Sequence, residues 1–265
     1  MTDSFFDPMP RVVAHRGDSA HFPENTLSAF LSACTLGVDV IETDVHLSKD
    51  GQLVIWHDET LDRNTDGAGR VEDHTLAELK TYDAGYTFTP NNGETFPFRG
   101  KGVQLCTLRE ALEACPNQRF NIDLKSKDPA IVDTFIEVIH SVQATKRIVA
   151  ASFHLSNLKL LRKKAPDILT SVTTLEVVPL LALQKLHLLS GKKHSIIFQV
   201  PTRQWGIEVV TPSFIQTMHN RGSIIQVWTI NEEAEMKRLY QMGVDSVMTD
   251  KPALAIKVAS ELGLR

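Results

Sequence analysis

Short β-branched and apolar runs recur along the chain, most of them followed by stretches with helical spacing. The runs fall at Arg11 to Ala14, Val38 to Val45, Leu53 to Trp56, Phe120 to Leu124, Ile148 to Ser152, Ile168 to Val172, Ser195 to Val200, Ile224 to Ile230 and Ser246 to Met248. Amphipathic segments such as Leu27 to Leu36 and Pro129 to Val142 fill the intervals. Asn231 is expected to N-cap a helix with Glu232, Glu233 and Glu235 at its positive end, and Gly243 to stop it. Roughly eight strands alternating with helices over about 250 residues predict a (β/α)8 TIM barrel. A doubly wound open sheet is the runner-up.

The rhythm breaks between Asp58 and Thr107. That polar stretch holds Gly67, Gly69, Gly85, Gly93, Gly100 and Gly102 with Pro90 and Pro97, and Thr75 to Leu79 is its one candidate short helix. It is expected to be a small insertion after the third strand, about residues 60–105, within a single domain spanning 1–265.

With 42% hydrophobic residues and 23% charged, the 265-residue chain can bury a full core, which argues against disorder. A net charge of −4 without a Lys/Arg block argues against a nucleic-acid binder but leaves room for one positive phosphate pocket. Cys34, Cys106 and Cys115 have neither disulfide-framework nor zinc spacing, so free thiols are expected. Met1 to Pro10 lacks the basic and apolar regions of a signal peptide, and no run approaches bilayer-spanning length. A soluble cytoplasmic protein without stable membrane association is the expectation; homo-oligomerisation carries no specific signal.

Chemistry-bearing residues cluster where strands are expected to end. Ala14-His15-Arg16-Gly17 closes the first strand and Trp56-His57-Asp58 the third, which places two histidines at the end of a barrel that carries catalytic loops. The unperturbed imidazole pKa is close to neutrality, so two histidines together can serve as general base and general acid, with Asp58 either orienting His57 or capping the turn. Glu24 and Asn25 are read first as loop and helix-cap residues.

A period of two puts Glu42, Asp44 and His46 on one face of their strand, the last with less certainty, and Asn121, Asp123 and Lys125 on one face of another. Two carboxylates aimed into a barrel mouth require a compensating cation, and a hard divalent ion with oxygen ligands meets that need. Asp123 offers a third carboxylate. Lys125 either meets a phosphate oxygen or forms a buried pair with Asp123. Trp228 offers a flat wall for an apolar part of a substrate. The remaining histidines, His187 and His194 among them, show no ligand spacing, and Gly191-Lys192-Lys193-His194 is read as a solvated loop.

In order along the chain, His15-Arg16-Gly17, Pro23-Glu24-Asn25-Thr26, Glu42-x-Asp44, Lys49-Asp50-Gly51, His57 to Arg63, Asn121-x-Asp123-x-Lys125, Trp228-Thr229-x-Asn231, Gly243-Val244-Asp245 and Thr249-Asp250-x-Pro252 resemble the glycerophosphodiester phosphodiesterase family. The similarity covers nearly the whole chain. It implies a barrel that hydrolyses glycerophosphodiesters to sn-glycerol 3-phosphate and an alcohol. It further implies His15 and His57 as the acid–base pair, one Mg²⁺ or Ca²⁺ held by Glu42, Asp44 and Asp123, and phosphate held by Arg16 and Lys125; we assign the base to His15 and the acid to His57. The nucleophile is water or the glycerol 2-hydroxyl acting through a cyclic phosphate.

Two positions depart from the family pattern. Asp123 stands where the family usually has Glu, a side chain shorter by one methylene, which bears on metal identity. Val103-Gln104-Leu105-Cys106-Thr107 lacks the common proline before the Thr-Leu pair. A lysophospholipase D with an apolar mouth, or a barrel that only binds sugar phosphates, are the alternatives.

Overall fold

The computed structural model describes residues 5–185 and 196–265. Its strands are β1 (Val12–His15), β2 (Val40–Leu47), β3 (Leu53–Ile55), β4 (Arg119–Leu124), β5 (Ile148–Ala151), β6 (Leu169–Thr170), β7 (Ile197–Pro201), β8 (Arg203–Gln204), β9 (Ile207–Glu208), β10 (Ile224–Trp228) and β11 (Ser246–Thr249). The larger helices are α1 (Leu27–Leu36), α2 (Leu76–Leu79), α3 (Leu108–Ala114), α4 (Ala130–Ser141), α5 (Leu155–Lys164), α6 (Thr174–Lys185), α7 (Pro212–His219), α8 (Glu233–Met242) and α9 (Pro252–Glu261). Ser195, His187, His194 and the Gly191 to His194 run lie outside the described residues.

Eight parallel strands run in the order β6-β5-β4-β2-β1-β11-β10-β7. The backbone N–H of Val172, just past β6, donates to the carbonyl of Ile197 at 3.1 Å and ties the two ends of this order together. The result is a nearly closed (β/α)8 barrel.

Strand alternation sorts the side chains into two layers. Outward residues such as Ile41, Val45, Phe120, Ile122, Ile148, Ala150, Phe198 and Val247 pack with the helices in the main core. Inward residues Val13, Val40, Val149, Ile197 and Met248 fill the barrel with Phe5 and Trp228. Phe5 arrives from the segment before β1, and Arg119, at the start of β4, donates to the carbonyls of Phe5 and Pro8, each at 2.8 Å. That segment therefore plugs the end of the barrel opposite the catalytic loops.

β3 differs from the expectation. It is not a barrel strand: it returns antiparallel to β2, pairing Val45 with Ile55, His46 with Val54 and Leu47 with Leu53. Ser48 to Gln52 is too short for the crossover a parallel strand needs, so only a hairpin is open to it. From β3 to α3 the chain builds a small cluster of its own from Val54, Trp56, Leu61, Val71, Leu79, Ala84 and Leu105. Within it α2 starts at Thr75 with a capping box to Glu78.

The helix at 233 also differs in detail. Its N-cap is Glu232, with no side-chain cap bond, while Gly243 ends it in the left-handed conformation as expected (φ 97°). Asn231 is used elsewhere, as described below.

Candidate active site

Parallel register brings the polar residues together. His15 of β1 lies beside Glu42 of β2, Glu42 beside Asn121 of β4, and one layer nearer the mouth Asp44 faces Asp123. These residues line one cavity of about 520 Å³ with Arg16, His57, Lys125 and Trp228. His57 gets there because the β3 return is in step with β2: Trp56 donates its backbone N–H to the carbonyl of Asp44 at 3.1 Å, which sets the next residue at the carboxylate layer.

Each histidine is anchored by a carboxylate. His15 Nδ1 is 2.6 Å from Asp250 Oδ1, and His57 Nδ1 is 2.6 Å from Asp58 Oδ1. Both acids titrate below the usual carboxylate range. Burial works against ionisation in each, and hydrogen bonds from His15 to Asp250 and from Arg63 and His57 to Asp58 outweigh it. An ionised carboxylate only accepts, so each Nδ1 carries the proton and each Nε2 is left for chemistry. His15 Nε2 lies 4.0 Å from Glu42 Oε2. Burial lowers the His15 pKa, but the Asp250 hydrogen bond and the Glu42 charge prevail and raise it.

The anchors are themselves held. Asn231 donates to Asp250 Oδ2 at 2.6 Å and accepts from the Asp250 backbone N–H and the Thr249 hydroxyl, both at 2.9 Å. Ser19 donates to Asp250 Oδ1 at 3.1 Å. This employment explains why Asn231 does not cap α8. On the other side Arg63 Nε donates to Asp58 at 2.5 Å, while its two terminal nitrogens grip both oxygens of Glu24. Glu24 also accepts from Arg16 at 2.8 Å. Asn25 donates to Asp44 Oδ2 at 3.0 Å, and the cap of α1 falls to Thr26. The loop-and-cap reading of Glu24 and Asn25 is thus corrected: they brace the site.

Asp250, Asn231, Glu24 and Arg63 received no catalytic part from the sequence. Only their place inside the ordered motifs marked them, because partners up to 235 residues apart meet through barrel closure.

The carboxylates do not share their charge evenly. Burial and then the neighbouring Asp44 push Glu42 up to about 7. Asp44 is buried as well, yet Lys125 and Arg16 hold it down at about 2. Asp123 is raised by burial, against the pull of Lys125. Lys125 Nζ bridges Asp123 at 2.7 Å and Asp44 at 3.0 Å, and the same side chain lines the cavity. His46 lies buried on the same strand, with its Nε2 3.2 Å from the carbonyl of His57, outside the main cavity.

As these side chains stand, no three His, Cys, Asp or Glu residues among those described enclose a metal ion. Two observations still fit a hard cation here. Asp123 Oδ1 and Asn121 Oδ1 are buried without a hydrogen-bond partner. The donors are all oxygen, and burial with the neighbouring Asp44 keeps the Glu42 carboxyl from ionising readily, a penalty that a cation at this point would relieve. Glu42, Asp44 and Asp123 would hold it.

Two imidazoles facing one cavity can move protons in opposite senses, and the guanidinium and ammonium beside them suit an anionic ester. Fold and site together define a barrel hydrolase of phosphate esters. The model of the glycerophosphoryl diester phosphodiesterase family matches residues 15–254, and the chain belongs to that family.

It is 34% identical to a glycerophosphodiester phosphodiesterase of Caldanaerobacter subterraneus, over 95% of this chain and 98% of that one. It is 32% identical to one of Bacillus altitudinis, over 96% and 100%. Among solved structures, a phosphodiesterase of Oleispira antarctica in complex with the product sn-glycerol-3-phosphate superposes with a TM-score of 0.79 at 26% identity, covering 97% of this chain and 99% of that one.

Proposed function

We propose that this glycerophosphodiester phosphodiesterase releases sn-glycerol 3-phosphate and an alcohol using His15 as general base, His57 as general acid and one divalent cation, Mg²⁺ or Ca²⁺, at Glu42, Asp44 and Asp123. The observation that carries the reading is the pair of carboxylate-anchored histidines presenting Nε2 to one cavity.

When bound, the cation supplies charge neutralisation for the diester oxygens. His15 Nε2 takes the proton of the attacking hydroxyl, and Asp250 stabilises the imidazolium that results. His57 returns a proton to the departing alkoxide. Arg16 Nε, buried without a hydrogen-bond partner, and Lys125 offer positive charge to the phosphate as negative charge builds in the transition state. Trp228 flanks the substrate.

The test measures glycerol 3-phosphate release from glycerophosphocholine by metal-stripped protein, with Mg²⁺, Ca²⁺ or nothing restored. Release that returns with one cation and disappears in Glu42→Ala is the expected result. His15→Ala and His57→Ala are expected to lose about 10²–10⁴-fold in kcat. Near wild-type turnover in either histidine variant would overturn the acid–base assignment.

A further inference from the structure

A second cavity, of about 180 Å³, adjoins the first. His57, Lys125 and Phe153 line both, so the two spaces meet at the imidazole assigned as general acid. Beyond these three, the second cavity takes His46, Glu59 and His154 into its walls. The main cavity runs on to α6 and the β8–β9 hairpin, elements whose described residues do not line the second.

The smaller cavity is walled by hydrogen-bond acceptors. His46 Nε2 lies 3.2 Å from the carbonyl of His57, and His154 Nε2 lies 3.1 Å from the carbonyl of Lys125. A carbonyl only accepts, so each Nε2 carries the proton and the neutral ring keeps its lone pair on Nδ1. Lys125 Nζ is committed to Asp44 and Asp123. Glu59 brings a carboxylate whose side chain is 65% exposed and whose partner Arg70, at 3.3 Å, is half in water itself. Such a pair is weak and leaves the carboxylate able to meet another cation. Phe153, 58% exposed, adds an aromatic ring, with Lys125 Nζ 5.5 Å from its centre. Acceptors, a carboxylate and an aromatic face around a small space suit an organic ammonium and disfavour an anion.

Position fixes what that ammonium belongs to. A general acid must reach the oxygen it protonates, so the alcohol that departs from phosphorus does so beside His57. The rest of that alcohol then meets the second cavity, while phosphate and glycerol occupy the first. We propose that the second cavity is the leaving-group subsite, and that Glu59, His46, His154 and Phe153 select alcohols carrying an ammonium close to the ester oxygen over uncharged polyols. The proposal rests on the hydrolytic reading above. In the net reaction water's oxygen joins phosphorus, and the bond from phosphorus to the alcohol oxygen breaks with its electron pair on that oxygen. His15 takes the proton of the nucleophile and His57 gives one to the departing alcohol, which leaves sn-glycerol 3-phosphate.

The experiment measures kcat/KM of the full chain, with its cation restored, for glycerophosphoethanolamine, glycerophosphocholine and the uncharged-headgroup diester glycerophosphoglycerol. The quantity read is the ratio of each ammonium diester to glycerophosphoglycerol within one enzyme, which a loss of folded protein does not move. The wild type is expected to favour the ammonium diesters by about tenfold. Glu59→Gln is expected to cut that ratio about fivefold, and Glu59→Lys about 25-fold as attraction becomes repulsion. Phe153→Leu keeps an apolar body without the ring and is expected to cut it about threefold. A wild-type ratio near one overturns the subsite, and so do ratios that stay at the wild-type value in all of these variants. In both cases glycerol 3-phosphate is still released and the hydrolytic reading stands. Failure to release it from any of the diesters removes the hydrolytic reading itself.

Discussion

At the scale of single residues the site depends on fixed protonation as much as on position. Asp250 holds the His15 proton on Nδ1, and Asn231 and Ser19 leave Asp250 little freedom to turn. Asp250→Asn keeps the shape but can donate to Nδ1 and so favour the wrong tautomer. Steady-state kinetics are expected to show a kcat loss of up to about 10⁴-fold with little change in Tm.

Glu24 belongs to the same scale but acts on stability. Burial favours its neutral form, yet the Arg63 hydrogen bonds and the Arg16 charge prevail and lower its pKa. A carboxyl depressed in the folded state stabilises the fold above its unfolded value, about 4.3, and loses that contribution as pH falls through the folded value. Thermal unfolding from neutral to acidic pH is therefore expected to show a steeper acid-side fall in the wild type than in Glu24→Gln.

At the scale of elements, the β1–α1 connection shows how a turn aims catalytic groups. Arg16, Gly17 and Asn25 all lie in the left-handed region (φ 57°, 84° and 58°). The backbone N–H of Arg16 donates to Glu42 Oε2 at 3.1 Å, and that of Asn25 to the carbonyl of Arg16 at 3.0 Å. A Cβ on Gly17 would stand 2.8 Å from the backbone of Ala29 in α1. Gly17→Ala must distort either the helix or the turn, and denaturant titration is expected to show a loss of about 1–3 kcal/mol with activity reduced as well. The β3 return is the other decisive element, since an antiparallel hairpin brings His57 back to the level of Asp44.

At the scale of the whole molecule, the barrel separates stability from chemistry along its axis. Phe5 and the inward Val13, Val40, Val149, Ile197 and Met248 close one end with hydrocarbon, while the charged layers occupy the other. Phe5→Ala opens the plug and is expected to cost about 3 kcal/mol in denaturant unfolding, with KM unchanged because the lost contacts lie away from the substrate. No helix among the described residues is long and apolar enough to cross a membrane.

Local pattern determined the alternation of strands and helices, hence the barrel, and a period of two correctly put Glu42 with Asp44 and Asn121 with Asp123 on inward faces. It also marked His15 and His57, because strand ends are visible as the place where an apolar run meets polar residues. Pairing direction was not legible: Leu53 to Ile55 reads alike as a parallel barrel strand or as an antiparallel return, since side-chain alternation is the same in both. The partners of the polar groups were likewise decided only by tertiary structure. His15 finds Asp250, Asn231 leaves its helix for Asp250 and Thr249, and Lys125 settles between Asp44 and Asp123. Hydrogen bonds and ion pairs act over a few ångströms, and only barrel closure brings residues so distant in the chain within that range.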